Sequence, residues 1–278
     1  MLVNFIDLLK DAQAKHYAVG LFNTTDTDML QAAIEAAEDM RSPIIIGTAE
    51  VLLPYGELKL IAPGLIAAAK NAKVPVVVNF DHGLTFDRCL EALKLGFTSI
   101  MFDGSAYDEE TNFRNTAEMV KIAHAISASV EGEIGHVGIA ATGDNAETDN
   151  YTTPEEAEKF VEKTGVDALA VAIGTAHGAY KIKPKLDIKR LAEIRAKIDT
   201  PLVLHGGSGL SDDDFKNTIK NGIAKVNIFT NLCEAGDLAV KTGLDYNLTY
   251  LDLRNLKKDV IKQAIIAKMK LFGSVNRY

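Results

Sequence analysis

The sequence predicts an α/β protein, a (β/α)8 TIM barrel that forms a single domain over residues 1–278. Eight short apolar runs alternate with segments of helical period, which is typical of α/β folds with a parallel sheet. Most of these runs are almost continuously apolar, as in strands that are covered on both faces. The alternation alone would also fit a doubly wound sheet. Eight units within 278 residues, with no linker or break in composition, favour the barrel, which typically takes about 250 residues.

The elements are expected in strict alternation after a short amphipathic helix at the N-terminus. Strands are predicted at residues 18–23, 43–48, 74–80, 99–104, 129–135, 167–174, 201–207 and 225–230. Helices are predicted at residues 26–38, 57–72, 85–95, 109–127, 154–164, 187–197 and 211–220. Thr153 before Pro154, and Ser211 before three aspartates, have the residue types of helix caps and first turns. Residues 231–278 should form helices of the same domain that extend beyond the last strand.

Composition and charge exclude several classes of protein. The chain is 47% hydrophobic and 24% charged, with a net charge of −8 and no basic run, which argues against nucleic acid and anionic membranes as partners. No apolar run approaches the roughly 20 residues that span a bilayer. Cys89 and Cys233 lie far apart in helical segments, so we expect two buried small side chains rather than a disulfide or a metal site. A reducing, cytoplasmic location fits this cysteine usage.

Polar residues cluster where the predicted strands end, which is where barrels of this kind carry their chemistry. In chain order these residues are Asn23, Thr48, Asp81 with His82, Asp103, Glu133, His177, His205 and Asn227. Histidines are common in loops, so three of them at strand ends could be a coincidence. Their position directly after apolar strands instead predicts a metal site, because three imidazoles suit Zn²⁺ and leave a position open for a substrate oxygen. Glu133 would be a fourth or exchangeable ligand.

Two turns near the end of the barrel predict a phosphate site. The glycine-rich turn at residues 205–209 follows the seventh strand, and residues 227–230 end the eighth. Barrels often bind phosphate at these loops, through backbone amides. A metal ion and a phosphate at one barrel mouth suggest a phosphorylated carbonyl substrate. Asp81 would then carry the proton of the hydroxyl group β to the ketone, or would only orient its neighbour His82.

These motifs together resemble the class II, metal-dependent fructose-bisphosphate and tagatose-bisphosphate aldolases. The resemblance runs over nearly the whole chain and rests on AVGLFN, VNFDHG, FTSIMFDGS, SVEGEIG, GTAHGAYK, PLVLHGGSGL, KVNIFT and the closing LFGS. It implies reversible cleavage of a phosphorylated ketose to dihydroxyacetone phosphate and an aldehyde. It also implies a homodimer or homotetramer that works on a small sugar phosphate, with no nucleic-acid or membrane partner.

The resemblance implies a role for each matching residue. Zn²⁺ would be held by His82, His177 and His205, with Glu133 able to approach it. Asp81 would move the aldol proton, and Asn227 would contact the enediolate. The substrate and its phosphate would contact Asn23, Thr48, Gly178, Lys181, Gly206, Ser208 and Thr230, where a monovalent cation, Na⁺ or K⁺, could also bind. Arg254 could match the arginine that reaches the distal phosphate in a neighbouring subunit.

Two departures from the family pattern leave the substrate and the base open. The family has a loop glutamate that abstracts the substrate proton, and residues 136–145 of this chain lack it, so Asp144, Glu147 or His136 are the candidates. Phe229 stands where the family has Asp or Asn. The alternatives are therefore an epimerase or an aldolase for a ketose monophosphate, or a catalytically silent homologue that binds sugar phosphates.

Overall fold

The protein folds as the predicted barrel. The computed structural model describes residues 1–135, 138–139, 151–178 and 184–278. Its main-sheet strands run parallel and close in the order β1-β10-β9-β7-β5-β4-β3-β2, while β6 and β8 pair with each other in a separate two-stranded sheet. The strands are β1 Val19–Asn23, β2 Ile44–Ala49, β3 Val76–Gly83, β4 Ser99–Phe102, β5 Ser129–Ile134, β6 Gly138–Ile139, β7 Ala168–Val171, β8 Ala176–His177, β9 Leu202–Leu204 and β10 Ile223–Ile228.

Helices lie between consecutive barrel strands and continue beyond β10. They are α1 Phe5–Ala14, α2 Thr27–Met40, α3 Leu58–Asn71, α4 Phe86–Lys94, α5 Glu109–His124, α6 Pro154–Thr164, α7 Ile188–Lys197, α8 Asp212–Lys220, α9 Thr230–Asp245 and α10 Tyr250–Phe272, and a short 3₁₀ helix, η1, covers Glu50–Tyr55. The predicted caps are confirmed. Thr153 and Ser211 each close a capping box, with Glu156 and Asp214 as the reciprocal partners. No helix in the described ranges is both long and apolar enough to cross a membrane.

The last barrel strand is shifted towards the N-terminus from its predicted position at 225–230. It begins at Ile223, after Gly222 turns the chain with a φ of 113°, and it ends at Ile228. Phe229 and Thr230, which were assigned to the strand, are the N-cap and the first residue of α9. The prediction that both cysteines are buried was also wrong for Cys233, which is exposed on α9, because that helix packs against the rest of the fold on one face only.

The core determines which end of the barrel can hold a site. Inward-facing residues of the strands, such as Val19, Leu21 and Val203, form one apolar cluster with Phe5 and Leu9 of α1. A second and larger cluster fills the space between the barrel and its surrounding helices. Because α1 covers the amino-terminal end of the barrel, the carboxyl end is the one that can open to a substrate.

Candidate active site

A β-bulge in β3 brings the neighbouring side chains of Asp81 and His82 to the same site. Phe80 pairs with Ile100 and Gly83 with Phe102, so three steps along β3 match two steps along β4. Successive residues of a regular strand point to opposite faces. The extra residue breaks this alternation, and His82 takes the left-handed conformation with a φ of 42°. Both side chains therefore face the carboxyl end of the barrel.

The rings of His82 and His205 converge at this end. His82 Nε2 lies 2.9 Å from His205 Nδ1, and the other nitrogen of each ring is held by a carboxylate. Asp103 Oδ2 lies 2.7 Å from His82 Nδ1, and Glu131 Oε1 lies 2.8 Å from His205 Nε2. Carboxylates behind histidines in this way are the usual support of metal-binding imidazoles, because they fix the ring orientation and raise its basicity.

The side chains present fit a divalent cation of the zinc type. Two nitrogens bound to one tetrahedral zinc ion lie roughly 3.4 Å apart, close to the separation of the two converging ring nitrogens. Ligand atoms of Asp81, His82 and His205 all lie within 4.8 Å of one another, and so do those of His82, Asp103 and Glu133. Glu133 Oε2 is buried and has no hydrogen-bond partner among the described residues, as expected for a ligand atom.

Asp81 is held from two sides by amide groups. Asn23 Nδ2 donates to Asp81 Oδ2 at 2.8 Å, and Asn227 Nδ2 donates to Oδ1 at 3.0 Å. Burial would raise the pKa of this carboxyl, but the positive charges of His82, Lys225 and His205 outweigh it, so the pKa lies below its usual value. The Asp81 carboxylate is therefore ionised and fixed in orientation.

The neighbouring groups are shifted in the opposite direction. Burial raises the pKa of Glu133 well above its usual value, and the charge of Asp103 adds to the effect. Burial alone would lower the pKa of His82, but Asp81 and the hydrogen bond with Asp103 raise it to about 9. In the absence of a cation, His82 is thus protonated at neutral pH, and a bound dication takes the place of that proton.

A buried ion pair supports His205 from inside the barrel. Lys225 Nζ donates to Glu131 Oε2 at 2.6 Å, and both side chains are completely buried. Neither Glu131 nor Lys225 was predicted from the sequence, nor was the role of Asp103. Two signals in the sequence could have indicated them. One is Lys225 itself, a lysine inside the apolar run of β10. The other is the spacing of Glu131 and Glu133, which are two residues apart and therefore lie on the same, inner face of β5.

Other predicted site residues lie at the ends of neighbouring strands. Asn23 and Thr48 lie buried at the ends of β1 and β2, and Thr48 Oγ1 has no partner among the described residues. A Cβ atom on Gly206 would lie 2.4 Å from Ala176 O, so the turn after His205 runs directly beside β8, whose second residue is His177. The side chain of His177 lies outside the described part of the structure.

Four of the candidate phosphate-binding residues lie in the described part of the chain. Gly178 and Gly206 have positive φ, Ser208 is buried, and Thr230 begins α9, whose N-terminus has no side-chain cap. The remaining candidates, Lys181, His136, Asp144 and Glu147, lie outside the described residues.

Arg254 does not join the cluster around His82. Its Nε donates to both carboxylate oxygens of Asp28 on α2, at 3.0 and 3.1 Å, and its Nη2 lies 3.3 Å from Thr27 Oγ1. The hydrogen bonds from Arg254 hold the pKa of Asp28 below its usual value. The guanidinium group is therefore bound to its own chain.

Comparisons with known proteins show a family and a fold for this chain. The family model described as "Fructose-bisphosphate aldolase class-II" matches residues 3–277. A fructose-bisphosphate aldolase of Thermus caldophilus is 40% identical, with 100% of each chain covered. A 6-phospho-5-dehydro-2-deoxy-D-gluconate aldolase of Shouchella clausii is 40% identical over 97% of this chain and 94% of its own. The crystal structure of the YdjI aldolase from Escherichia coli K12 superposes with a TM-score of 0.91 at 38% identity, covering 100% of this chain and 99% of that one.

Proposed function

Because the chain belongs to the class II fructose-bisphosphate aldolase family, we propose that this aldolase is zinc-dependent and acts on a phosphorylated ketose. It cleaves the sugar reversibly into dihydroxyacetone phosphate, or a close analogue, and an aldehyde. The observation that carries the proposal is the convergence of two carboxylate-supported histidine rings, 2.9 Å apart, beside the ionised Asp81. A silent homologue would have no need of this arrangement.

We assign the metal ligands to His82, His177 and His205, with Glu133 as an exchangeable ligand. The cation, when bound, polarises the substrate ketone and stabilises the charge that develops when the carbon–carbon bond breaks. Asp103 and Glu131 keep the rings of His82 and His205 oriented towards it. The burial of Glu133, which raises its pKa, favours its neutral form unless a positive charge is close.

Asp81 is the proton carrier of the proposed mechanism. Its carboxylate accepts the proton of the hydroxyl group β to the ketone during cleavage and returns it during aldol addition. The carbon released by the broken bond receives its proton from a second group, for which Asp144, Glu147 and His136 are the candidates. The amide groups of Asn23 and Asn227 hold the two carboxylate oxygens, so the side chain is already in one orientation before the substrate binds. Asn227 also lies at the junction of Asp81 and His205, 3.2 Å from His205 Nδ1, where it can contact the reacting carbon–carbon unit.

The substrate phosphate is proposed to bind over the turns that carry Gly178, Gly206 and Ser208, at the N-terminus of α9, which begins with Thr230. The open amides of this helix end favour an anion. Lys181 and a monovalent cation, Na⁺ or K⁺, complete the proposed site.

A substrate with a single phosphate is the second candidate. Phe229 is partly buried and packs on the apolar core rather than presenting a polar group, and Arg254 is bound to Asp28 of its own chain. Both observations reduce the capacity to bind a second phosphate. The relative from Shouchella clausii is named for a substrate that carries one phosphate. A ketose-phosphate epimerase would share these features. A role in glycolysis would instead require a ketose bisphosphate as the substrate.

We propose a homodimer or homotetramer, supported by apolar side chains at the tip of the α9–α10 hairpin. Tyr246 is 76% exposed and Tyr250 is 71% exposed, and Leu244 and Leu251 beside them are also exposed. Exposed apolar patches of this kind are typical of protein interfaces. We also propose a cytoplasmic location, since the cysteines are free thiols.

The test is a coupled assay for dihydroxyacetone phosphate release from a panel of ketose mono- and bisphosphates. Each sugar is offered to the protein with added Zn²⁺, with a chelator, and with Zn²⁺ restored after chelation. Cleavage that the chelator abolishes and Zn²⁺ restores supports the proposal and identifies the substrate. If a zinc-loaded protein converts a ketose phosphate to its epimer without cleavage, the epimerase is correct. If it cleaves no sugar and converts none, the proposed activity is refuted.

A further inference from the structure

We propose that Glu50 is a positioning residue for the metal site, through the segment that follows the β3 bulge. The inference rests on the proposed function in one respect, the assignment of His82 as a metal ligand. Among the described residues, the hydrogen bonds of Glu50 go to Leu84 and Thr85, two and three residues after His82. It begins η1, directly after β2, and its carboxylate reaches across to the neighbouring strand.

The carboxylate of Glu50 binds the two residues that follow Gly83. Leu84 N donates to Glu50 Oε2 at 2.7 Å, and Thr85 N donates to the same oxygen at 3.2 Å. The Thr85 hydroxyl donates to Glu50 Oε1 at 3.2 Å, and Thr85 is also the N-cap of α4. One side chain at the start of η1, directly after β2, thereby fixes the junction between β3 and α4.

The segment needs this restraint because its backbone is strained. The left-handed region is unfavourable for a non-glycine residue such as His82, and this conformation persists only when the surroundings enforce it. On the β4 side, Asp103 N donates to Gly83 O at 3.0 Å. On the β2 side the restraint comes from Glu50. The two strands that flank β3 thus hold the segment from opposite sides.

Close packing around Gly83 restricts the backbone conformations that the segment can adopt. A Cβ atom at this position would lie 2.3 Å from Cys89 Sγ and 2.8 Å from Met101 O, so the backbone approaches α4 and β4 closely. Without Glu50, the amides of Leu84 and Thr85 lose this acceptor, and the segment that holds His82 in its left-handed conformation loses its restraint on the β2 side. The imidazole then spends less time in the orientation that faces His205.

The experiment compares Glu50→Ala and Glu50→Gln with a matched control, Glu57→Ala. Glu57 is also a glutamate that accepts a backbone amide, from Leu58 at 3.0 Å, and it accepts a bond from Arg88 of α4 at 3.1 Å, but it does not bind the segment after the bulge. The metal-free proteins are titrated with Zn²⁺ and Co²⁺ against a chromophoric chelator. The visible absorption of the Co²⁺ forms and the amide hydrogen exchange of residues 80–88 are recorded as well.

We expect Glu50→Ala to weaken metal binding by about 10- to 100-fold, the range seen when the groups that orient metal ligands are lost. Its Co²⁺ spectrum should change and its amides at residues 80–88 should exchange faster. Glu50→Gln should be intermediate, because its amide oxygen still accepts a hydrogen bond. Glu57→Ala should keep the affinity, spectrum and local exchange of the wild type even if its thermal stability falls.

Two results would overturn the inference. One is wild-type affinity and an unchanged Co²⁺ spectrum in Glu50→Ala, and the other is equal loss of affinity in Glu57→Ala. A wild-type protein that binds neither metal would instead refute the proposed metal site. In that case the amide hydrogen exchange of residues 80–88 decides the positioning role of Glu50. Exchange that is unchanged in Glu50→Ala would overturn this role, and exchange that is faster in Glu50→Ala but not in Glu57→Ala would support it.

Discussion

Replacement of Lys225 by Met should destabilise the protein strongly although Lys225 touches no substrate. The ammonium group and Glu131 are both completely buried, with Nζ and Oε2 2.6 Å apart. Methionine keeps most of the aliphatic stem of the lysine, so the substitution removes the charge rather than the volume. The Glu131 carboxylate then remains in the barrel with His205 as its remaining described side-chain partner.

The expected cost follows from the isolation of that carboxylate. Removal of one partner of a buried ion pair typically costs about 3–5 kcal/mol, because the remaining charge has lost its compensation but not its burial. In a chain of this size a loss of this magnitude lowers Tm by about 10 °C. The double variant Lys225→Met/Glu131→Gln removes both charges and should recover most of the loss, since neutral replacements of a buried pair are often tolerated.

The assay is urea unfolding followed by circular dichroism, with a chelator present so that metal binding does not contribute to the free energy of unfolding. Lys197→Met is the matched control. Lys197 pairs with Glu158 at 3.0 Å on the surface, with both side chains about 40% exposed, and its loss should leave the stability close to that of the wild type. A change of less than about 1 kcal/mol in the free energy of unfolding of Lys225→Met would contradict the prediction. A double variant that is no more stable than the single one would contradict it as well.

Three further predictions concern the site, the acid range and the assembly. Asp81→Asn should lower kcat by at least about 100-fold while the protein retains its zinc, as measured by turnover and metal analysis of the same sample; unchanged turnover would exclude Asp81 as proton carrier. Arg254→Gln should cause a small loss of stability at pH 7, because Arg254 lowers the pKa of Asp28 in the folded protein. This lowered pKa stabilises the fold above about pH 4, and the contribution is lost as the pH falls through the pKa of Asp28 in the folded state. Urea unfolding of both proteins at pH 7 and at a pH well below 4 tests this, because the difference should shrink there, and a difference that grows on acidification would contradict it. Tyr246→Glu/Leu251→Glu should reduce the oligomer to a species of 30.0 kDa in analytical ultracentrifugation, whereas an unchanged mass would place the interface elsewhere.

Local sequence rules were sufficient for the order and type of the barrel strands and the helices between them, but not for β6, β8 and η1. The apolar runs predicted the barrel strands to within a few residues, because strands covered on both faces must be apolar along their whole length. The caps at Thr153 and Ser211 were readable for the same kind of reason, since a cap is a contact between residues three apart in the chain. The end of β10 was misplaced because nothing in the local pattern distinguishes Phe229 as a strand residue from Phe229 as a cap.

The sequence by itself also determined which residue types stand at the strand ends, and hence the expectation of a metal site with Asp81 beside it. Tertiary structure alone decided how those residues act together. The bulge that turns Asp81 and His82 to one side depends on the register of β3 against β4, which is set by pairing between strands. The carboxylates behind the histidines, Asp103 and Glu131, lie 21 and 74 residues away in sequence. Closure of the barrel brings these partners together. Because an unpaired charge in the barrel interior is costly, each buried charged group must pair with a group on another strand.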